Sequence, residues 1–205
     1  MSTELKLLFA GALALLILSG IGPADRLTWL LETAPIMIGL VILAWTWRRF
    51  PLTPLLYRLL FLHAAILALG GHYTYAEVPA GFWVQEWFDL ARNPYDRLGH
   101  IAQGFVPAIL IRELLIRTSP LEGSRWLPVL TVSACLAFSA LYELIEWWAA
   151  VILDQSAEAF LGTQGDPWDT QWDMFLALSG AIAALLLLSR LHDRQIARLR
   201  DAASA

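Results

Sequence analysis

One cysteine, Cys135, lies inside the apolar run VLTVSACLAFSALY, which excludes an intrachain disulfide and any thiolate metal cluster. Its ordinary role is that of a small buried hydrophobe. The chain also lacks a basic excess: its formal charge is −4, and its pI near 5.5 leaves no electrostatic footprint for nucleic acid. No Gly/Ser linker, low-complexity tract or long charge run divides the 205 residues, so a single domain over residues 1–205 is expected. Walker, dinucleotide-fingerprint, G-x-S-x-G and H-E-x-x-H motifs are all missing. No residue stands out as a covalent nucleophile.

What is present is hydrocarbon-seeking sequence. Hydrophobic residues make up 58% of the chain and the mean hydropathy is +0.58, against roughly 45 to 50% apolar content in soluble domains. A membrane-spanning helix needs about 17 to 25 mostly apolar residues, because backbone groups cannot stay unpaired in lipid. Six segments qualify, near 5–22, 28–47, 54–73, 95–116, 126–152 and 168–190. The first is too long for a signal-peptide core and no clear cleavage site follows, so it is expected to be retained. RFPLTP and TSPLEGSR punctuate the boundaries of the third to fifth spans. In residues 80–92, Phe82, Trp83, Trp87 and Phe88 recur at helical spacing against Gln85, Glu86, Asp89 and Arg92. That pattern suits a short interfacial helix. The expected fold is all-α: a polytopic bundle of six transmembrane helices plus one interfacial helix, with the lipid bilayer as its first partner.

Basic residues set the orientation. Eleven of the 14 Lys and Arg fall on the side holding both termini, and Arg26, Arg92 and Arg97 fall on the other. The termini are therefore expected in the cytoplasm and the loops near 22–27, 74–94 and 153–167 outside. Once depth is assigned, ionisable residues collect in the outer leaflet: Glu32, His72, Asp96, His100, Glu143, Glu146, Asp169 and Asp173. Charges in hydrocarbon are expensive and by default mark a functional interior.

Asp96 and His100 are i, i+4, as are Asp169 and Asp173, while Glu143 and Glu146 are i, i+3, so each pair shares a helix face. Mixed imidazole and carboxylate donors suit Zn²⁺, Mn²⁺ or Fe²⁺, with Mg²⁺ preferring oxygens alone. The metal-ligand candidates are His72, His100, Glu143, Glu146, Asp169 and Asp173. Glu143, Glu146 and His100 are the candidate catalytic acids and bases, and Arg92, Arg97, Tyr73 and Tyr142 are candidates for orienting a lipid or lipid-linked headgroup. The competing reading is helix-start chemistry, with Asn93 and Asp166 as N-caps, Pro94 and Pro167 at N1, and Asp96 and Asp169 reaching back to free amides. His63 is expected to hydrogen-bond a neighbouring helix, and His192, in the basic tail RLHDRQIARLR, to be solvated or against lipid.

The segments NPYDRLGHIAQGFVPA, YELIEWWAA, FLGTQGDPWDTQWDM, GGHYTYAEVP and LSGIGPADRLTWLLETAP resemble the bacterial inner-membrane family called YjdF. That resemblance implies a polytopic inner-membrane protein and brings no established activity. The triplet Asp96, Arg97 and His100, with Glu143, Asp169 and Asp173, is also similar to motifs of VanZ-like membrane proteins, which implies an outward-facing envelope substrate. Arg97 stands where that pattern has Lys, and Trp147 where it tends towards Gln. Three functions follow as expectations: a metal-dependent membrane hydrolase or transferase, a cation- or proton-coupled transporter component, or a noncatalytic scaffold.

Overall fold

A computed structural model describes residues 2–153 and 164–204. Among them are seven α-helices and no strand: α1 (Thr3–Ser19), α2 (Arg26–Thr46), α3 (Pro54–Tyr73), α4 (Pro79–Phe88), α5 (Tyr95–Thr118), α6 (Trp126–Leu153) and α7 (Asp169–Ser204), with a 3-10 turn at Tyr75–Glu77. Five of them, α2, α3, α5, α6 and α7, are long and apolar enough to cross a membrane. The remaining expected span is α1, whose 17 residues lie at the short limit of about 17 to 25. The expected outer loop at 153–167 falls largely outside the described residues.

Local chemistry explains most of the helix starts. Ser2 Oγ accepts from the Leu5 amide, Asp25 Oδ1 from the Thr28 amide at 2.7 Å, and Thr53 Oγ1 caps α3 with Pro54 at its first position. The Thr28 N–H holds the Asp25 carboxyl below its ordinary value. α4 is the amphipathic element foreseen from its aromatics. It buries Gly81 and exposes Trp83, Trp87 and Phe88, and it stops where Asp89 takes a left-handed φ of 50°.

The core is built round α5. More than half of its apolar window is buried, against 17% for α2, because α3, α6 and α7 all pack on it and α7 does so most extensively. Two glycines make that pairing close. A Cβ on Gly104 would collide with the Ala177 carbonyl, and one on Gly180 with the Ile101 carbonyl. This is the small-residue contact through which membrane helices gain van der Waals packing when no hydrophobic force separates helix from lipid. Ala108, Ile109, Ala181, Ala184, Leu56 and the free Cys135 continue the core towards the other end.

Two histidines depart from expectation. His63 Nε2 is buried without a hydrogen-bond partner among the described residues and lines an apolar groove of about 360 Å³ between α1, α2 and α3. His192, expected in solvent or lipid, is fully buried. The basic tail does not end the last span but continues it as helix to residue 204, which carries His192 back against α5. There His192 Nε2 sits 2.9 Å from Glu113 Oε2 and Nδ1 sits 3.1 Å from Arg112. Glu113 also holds the start of α3, accepting from the Thr53 hydroxyl at 2.8 Å and from Arg117 at 2.7 Å.

A buried histidine and carboxylate site between α5, α6 and α7

The turns that open α5 and α7 are built alike. Asn93 Oδ1 accepts from the Tyr95 amide at 3.0 Å and Asp166 Oδ1 from the Trp168 amide at 2.9 Å, each two residues on, with a proline between. Asn and Asp stabilise such turns by bonding their own backbone ahead. The helix-start reading holds for Asn93 and Asp166 only as residues of the preceding turn: Pro94, not Asn93, is the N-cap of α5, and α7 begins at Asp169, three residues after Asp166. It fails for the next acids, because Asp96 and Asp169 turn to a cation instead: Arg92 Nη2 donates to Asp96 Oδ2 at 3.3 Å and Arg92 Nη1 bonds Asp169 Oδ1. Asp166 lies 3.9 Å from Arg92 and 3.7 Å from Arg97. Arg92 thus ties the starts of α5 and α7 together.

One turn deeper, the α5 stripe Asp96, His100, Gly104 faces the α7 stripe Asp173, Ala177, Gly180. The glycine contacts draw the backbones together just below the polar residues, which are thereby forced to meet. His100 Nε2 lies 3.4 Å from Asp96 Oδ1 and 3.7 Å from Asp173 Oδ1. One donor atom from each of Asp96, His100 and Asp173 falls within 4.8 Å of the other two. On the opposite side of the ring, His100 Nδ1 faces Glu143 Oε1 of α6 at 3.9 Å. His100 Nδ1, Glu143 Oε1 and Asp173 Oδ1 are all buried without a hydrogen-bond partner among the described residues. Buried polar atoms are nearly always bonded, so three such atoms close together set this group apart from the ordinary packed core.

Asp96, His100 and Asp173 are residue types that could hold a divalent metal. An ion about 2.1 Å from each donor sets donor–donor separations of roughly 3.0 to 3.4 Å; the two His100 pairs lie at 3.4 and 3.7 Å, and donor atoms of Asp96 and Asp173 lie within 4.8 Å of each other. Metal-bound imidazoles commonly present their second nitrogen to a carboxylate, which is where Glu143 stands.

The other residues singled out in the sequence divide by position. Asp169 is near the group but committed to Arg92. Glu146 is half-buried on α6 within the electrostatic reach of Glu143 and Glu32. Tyr142 donates to Glu32 Oε2 at 3.0 Å. Arg97 lies over the Trp172 ring at 5.7 Å. His72 is not brought to the group: its Nδ1 is 2.9 Å from the Ser19 carbonyl, and its ring stacks edge-on against Tyr73. The donor that the ligand set left out is Asp96. Its spacing four residues before His100 was the available signal, masked by an equally good helix-start reading. Tyr75 also escaped notice; its ring packs into the space that Gly70 and Gly99 leave open, beside the site.

Comparison with known proteins agrees with this architecture. No solved structure matches the chain. The chain is 56% identical over 184 residues to the inner membrane protein YjdF of Escherichia coli (strain K12), covering 90% of this chain and 88% of that one. Residues 4–194 match the family described as predicted membrane protein (DUF2238), and the chain, helical without strands among the described residues and with five helices long and apolar enough to cross a membrane, belongs to that family.

Proposed function

We propose that the chain is an inner-membrane protein with both termini in the cytoplasm, whose outward-facing chamber binds one divalent metal and acts on a lipid or lipid-linked envelope substrate by hydrolysis or group transfer. Asp96, His100 through Nε2, and Asp173 are the ligands, and Glu143 orients His100 from Nδ1. One imidazole with two carboxylates suits Zn²⁺, Mn²⁺ or Fe²⁺; Mg²⁺ would take the oxygens and leave His100 aside. Bound metal supplies a water activated near neutral pH and polarises a scissile ester or phosphoester. With Glu143 engaged on the ring, Glu146 is the carboxylate left to move a proton, and Arg97, partly exposed beside Asp166, is placed to meet a phosphate.

The convergence of three donor atoms within 4.8 Å, at a depth where lone charges are not tolerated, carries this reading. Transport is less well supported. The second polar cluster, at Glu113 and His192, begins 13 residues beyond His100 on α5, roughly 20 Å along the axis, and buried Ala102, Val106, Ala108 and Ile109 lie between.

Elemental analysis of purified protein tests the proposal. Wild-type protein is expected to hold about one Zn, Mn or Fe per chain, and His100→Ala combined with Asp173→Ala to hold less than a tenth of that, since loss of two of three ligands removes the site. A metal-free wild type, or undiminished metal in the double variant, would overturn it.

A further inference from the structure

α1 and α2 each pack on α3 more than on one another, and the gap between them is the groove of about 360 Å³, to which α5 adds Pro107 and Leu110. Small side chains keep it open. Ala12 of α1, Gly39 and Ala44 of α2 and Ala64 of α3 all line it, and nothing stands within 4 Å of a Cβ placed on Gly39. The lining holds no Asp, Glu, Lys or Arg; its polar side chains are those of His63, Tyr57 and Trp47. The Tyr57 hydroxyl already accepts from the Leu52 amide at 3.1 Å. Such walls offer water too few partners to hold it, and their atoms forfeit dispersion contacts unless an apolar group fills the space.

The groove has the length of one leaflet. On α2 it runs from Pro35 to Trp47, roughly 18 Å of helix, against a hydrocarbon core of roughly 30 Å. Its shallow end, at Leu5, Trp47 and Tyr57, lies at the end of the bundle that carries both termini, opposite the end where Asp96 and Asp173 open their helices.

Positive charge stands at that shallow end. The Arg48 guanidinium lies over the ring of Trp47, 4.9 Å from its centroid, and Arg49 follows it, exposed, in the same turn. Glu4, next to Leu5 of the groove, is taken by Arg58 at 2.6 Å. Neither Arg48 nor Arg49 has an ion-pair partner among the described residues.

We infer that the groove is a second lipid site, separate from the metal chamber, which takes one acyl chain of an anionic phospholipid between α1 and α2 while Arg48 and Arg49 receive its phosphate. An apolar slot one leaflet deep selects a chain, and guanidinium forks at its mouth suit phosphate oxygens. The orientation proposed above makes this leaflet the cytoplasmic one.

The test is lipid retention by the full chain, reconstituted in vesicles of equal phosphatidylglycerol and phosphatidylethanolamine and extracted gently, with bound lipid counted by native mass spectrometry. Wild type is expected to prefer the glycerol lipid by roughly twentyfold, at about fivefold for each arginine near the surface. Arg48→Gln with Arg49→Gln is expected to bring the ratio within about twofold of unity. Arg194→Gln with Arg198→Gln, exposed on α7 and not lining the groove, is expected to leave it unchanged. A photoreactive acyl chain on the glycerol lipid is expected to label peptides of α1, α2 and α3, and Gly39→Trp, which puts an indole into the groove, to reduce that labelling by more than half. A wild-type ratio near unity, a preference lost in the α7 variant but kept in the Arg48 and Arg49 variant, labelling confined to α6 and α7, or a tightly held isoprenoid in the phospholipid's place would each overturn the inference. The wild-type ratio and labelling decide alone if a variant does not fold.

Discussion

Glu113→Ala is expected to destabilise the folded protein by about 3 to 5 kcal/mol, the usual result of removing one partner from a buried ion network. Glu113 is fully buried and accepts from the Thr53 amide and hydroxyl, from Arg117 and from His192. The proton positions follow from the donors. A guanidinium only donates, so Arg112 at 3.1 Å makes His192 Nδ1 the acceptor, and Nε2 carries the hydrogen to Glu113. Deleting the carboxylate leaves the His192 N–H and the capping residue of α3 without their acceptor and leaves Arg117 with the Pro51 carbonyl alone. Glu113→Gln keeps an oxygen at the site and is expected to lose clearly less. Reversible unfolding in mixed micelles, followed by helical circular dichroism, measures both; a loss under about 1 kcal/mol for Glu113→Ala, the range of an exposed pair, would show that the network is not buried as described.

The second large effect concerns the α5–α7 seam. Gly104→Ala and Gly180→Ala each place a methyl where a backbone carbonyl of the facing helix already stands. Neither carbonyl belongs to a flexible side chain, so the helices must separate. Overpacking of this kind costs about 1 to 3 kcal/mol and occasionally more, partly offset by the gain of roughly 1 kcal/mol from replacing glycine in a helix. The structural consequence reaches the site, because the same seam sets the distance from Asp173 to His100. Metal affinity is expected to fall by at least about tenfold in either variant, within the 10- to 100-fold range seen when supporting residues of a metal site are changed. Gly39→Ala is the control. Nothing lies within 4 Å of a Cβ there, so the propensity gain stands alone and stability is expected to rise or stay level. Combining Gly104→Ala with Gly180→Ala is expected to cost less than the sum, since one displacement of α7 relieves both contacts.

Much of the architecture was legible because depth in a membrane is linear in sequence. A helix advances about 1.5 Å per residue, so a run of apolar residues fixes a span, and the position of Asp96 or Asp173 within it fixes a height. The gathering of acids at one end of the spans followed from that reasoning alone, and so did the amphipathic α4. Azimuth was not legible. Whether His72 or Asp96 joins His100 depends on how α3, α5 and α7 rotate against one another, and that is decided by tertiary features such as the Gly104 and Gly180 contacts. Periodicity narrowed the choice where two polar residues shared a face, as at Asp96 with His100 and Asp169 with Asp173. It gave nothing for a lone residue such as His72. His192 and Glu113 were hidden for another reason. Both lie among arginines, at 112, 117, 190 and 194, and a basic stretch at a span end reads as a solvated cytoplasmic flank; only the continuation of α7 as one helix turns that flank inward.

The most direct test of the central claim, that Asp96, His100 and Asp173 meet round one ion, is pulsed electron paramagnetic resonance on protein loaded with Mn²⁺. The account predicts electron spin-echo modulation from a single directly bound histidine nitrogen, abolished by His100→Gln and retained in His72→Gln. Modulation that persists in His100→Gln, or that vanishes in His72→Gln, would contradict it.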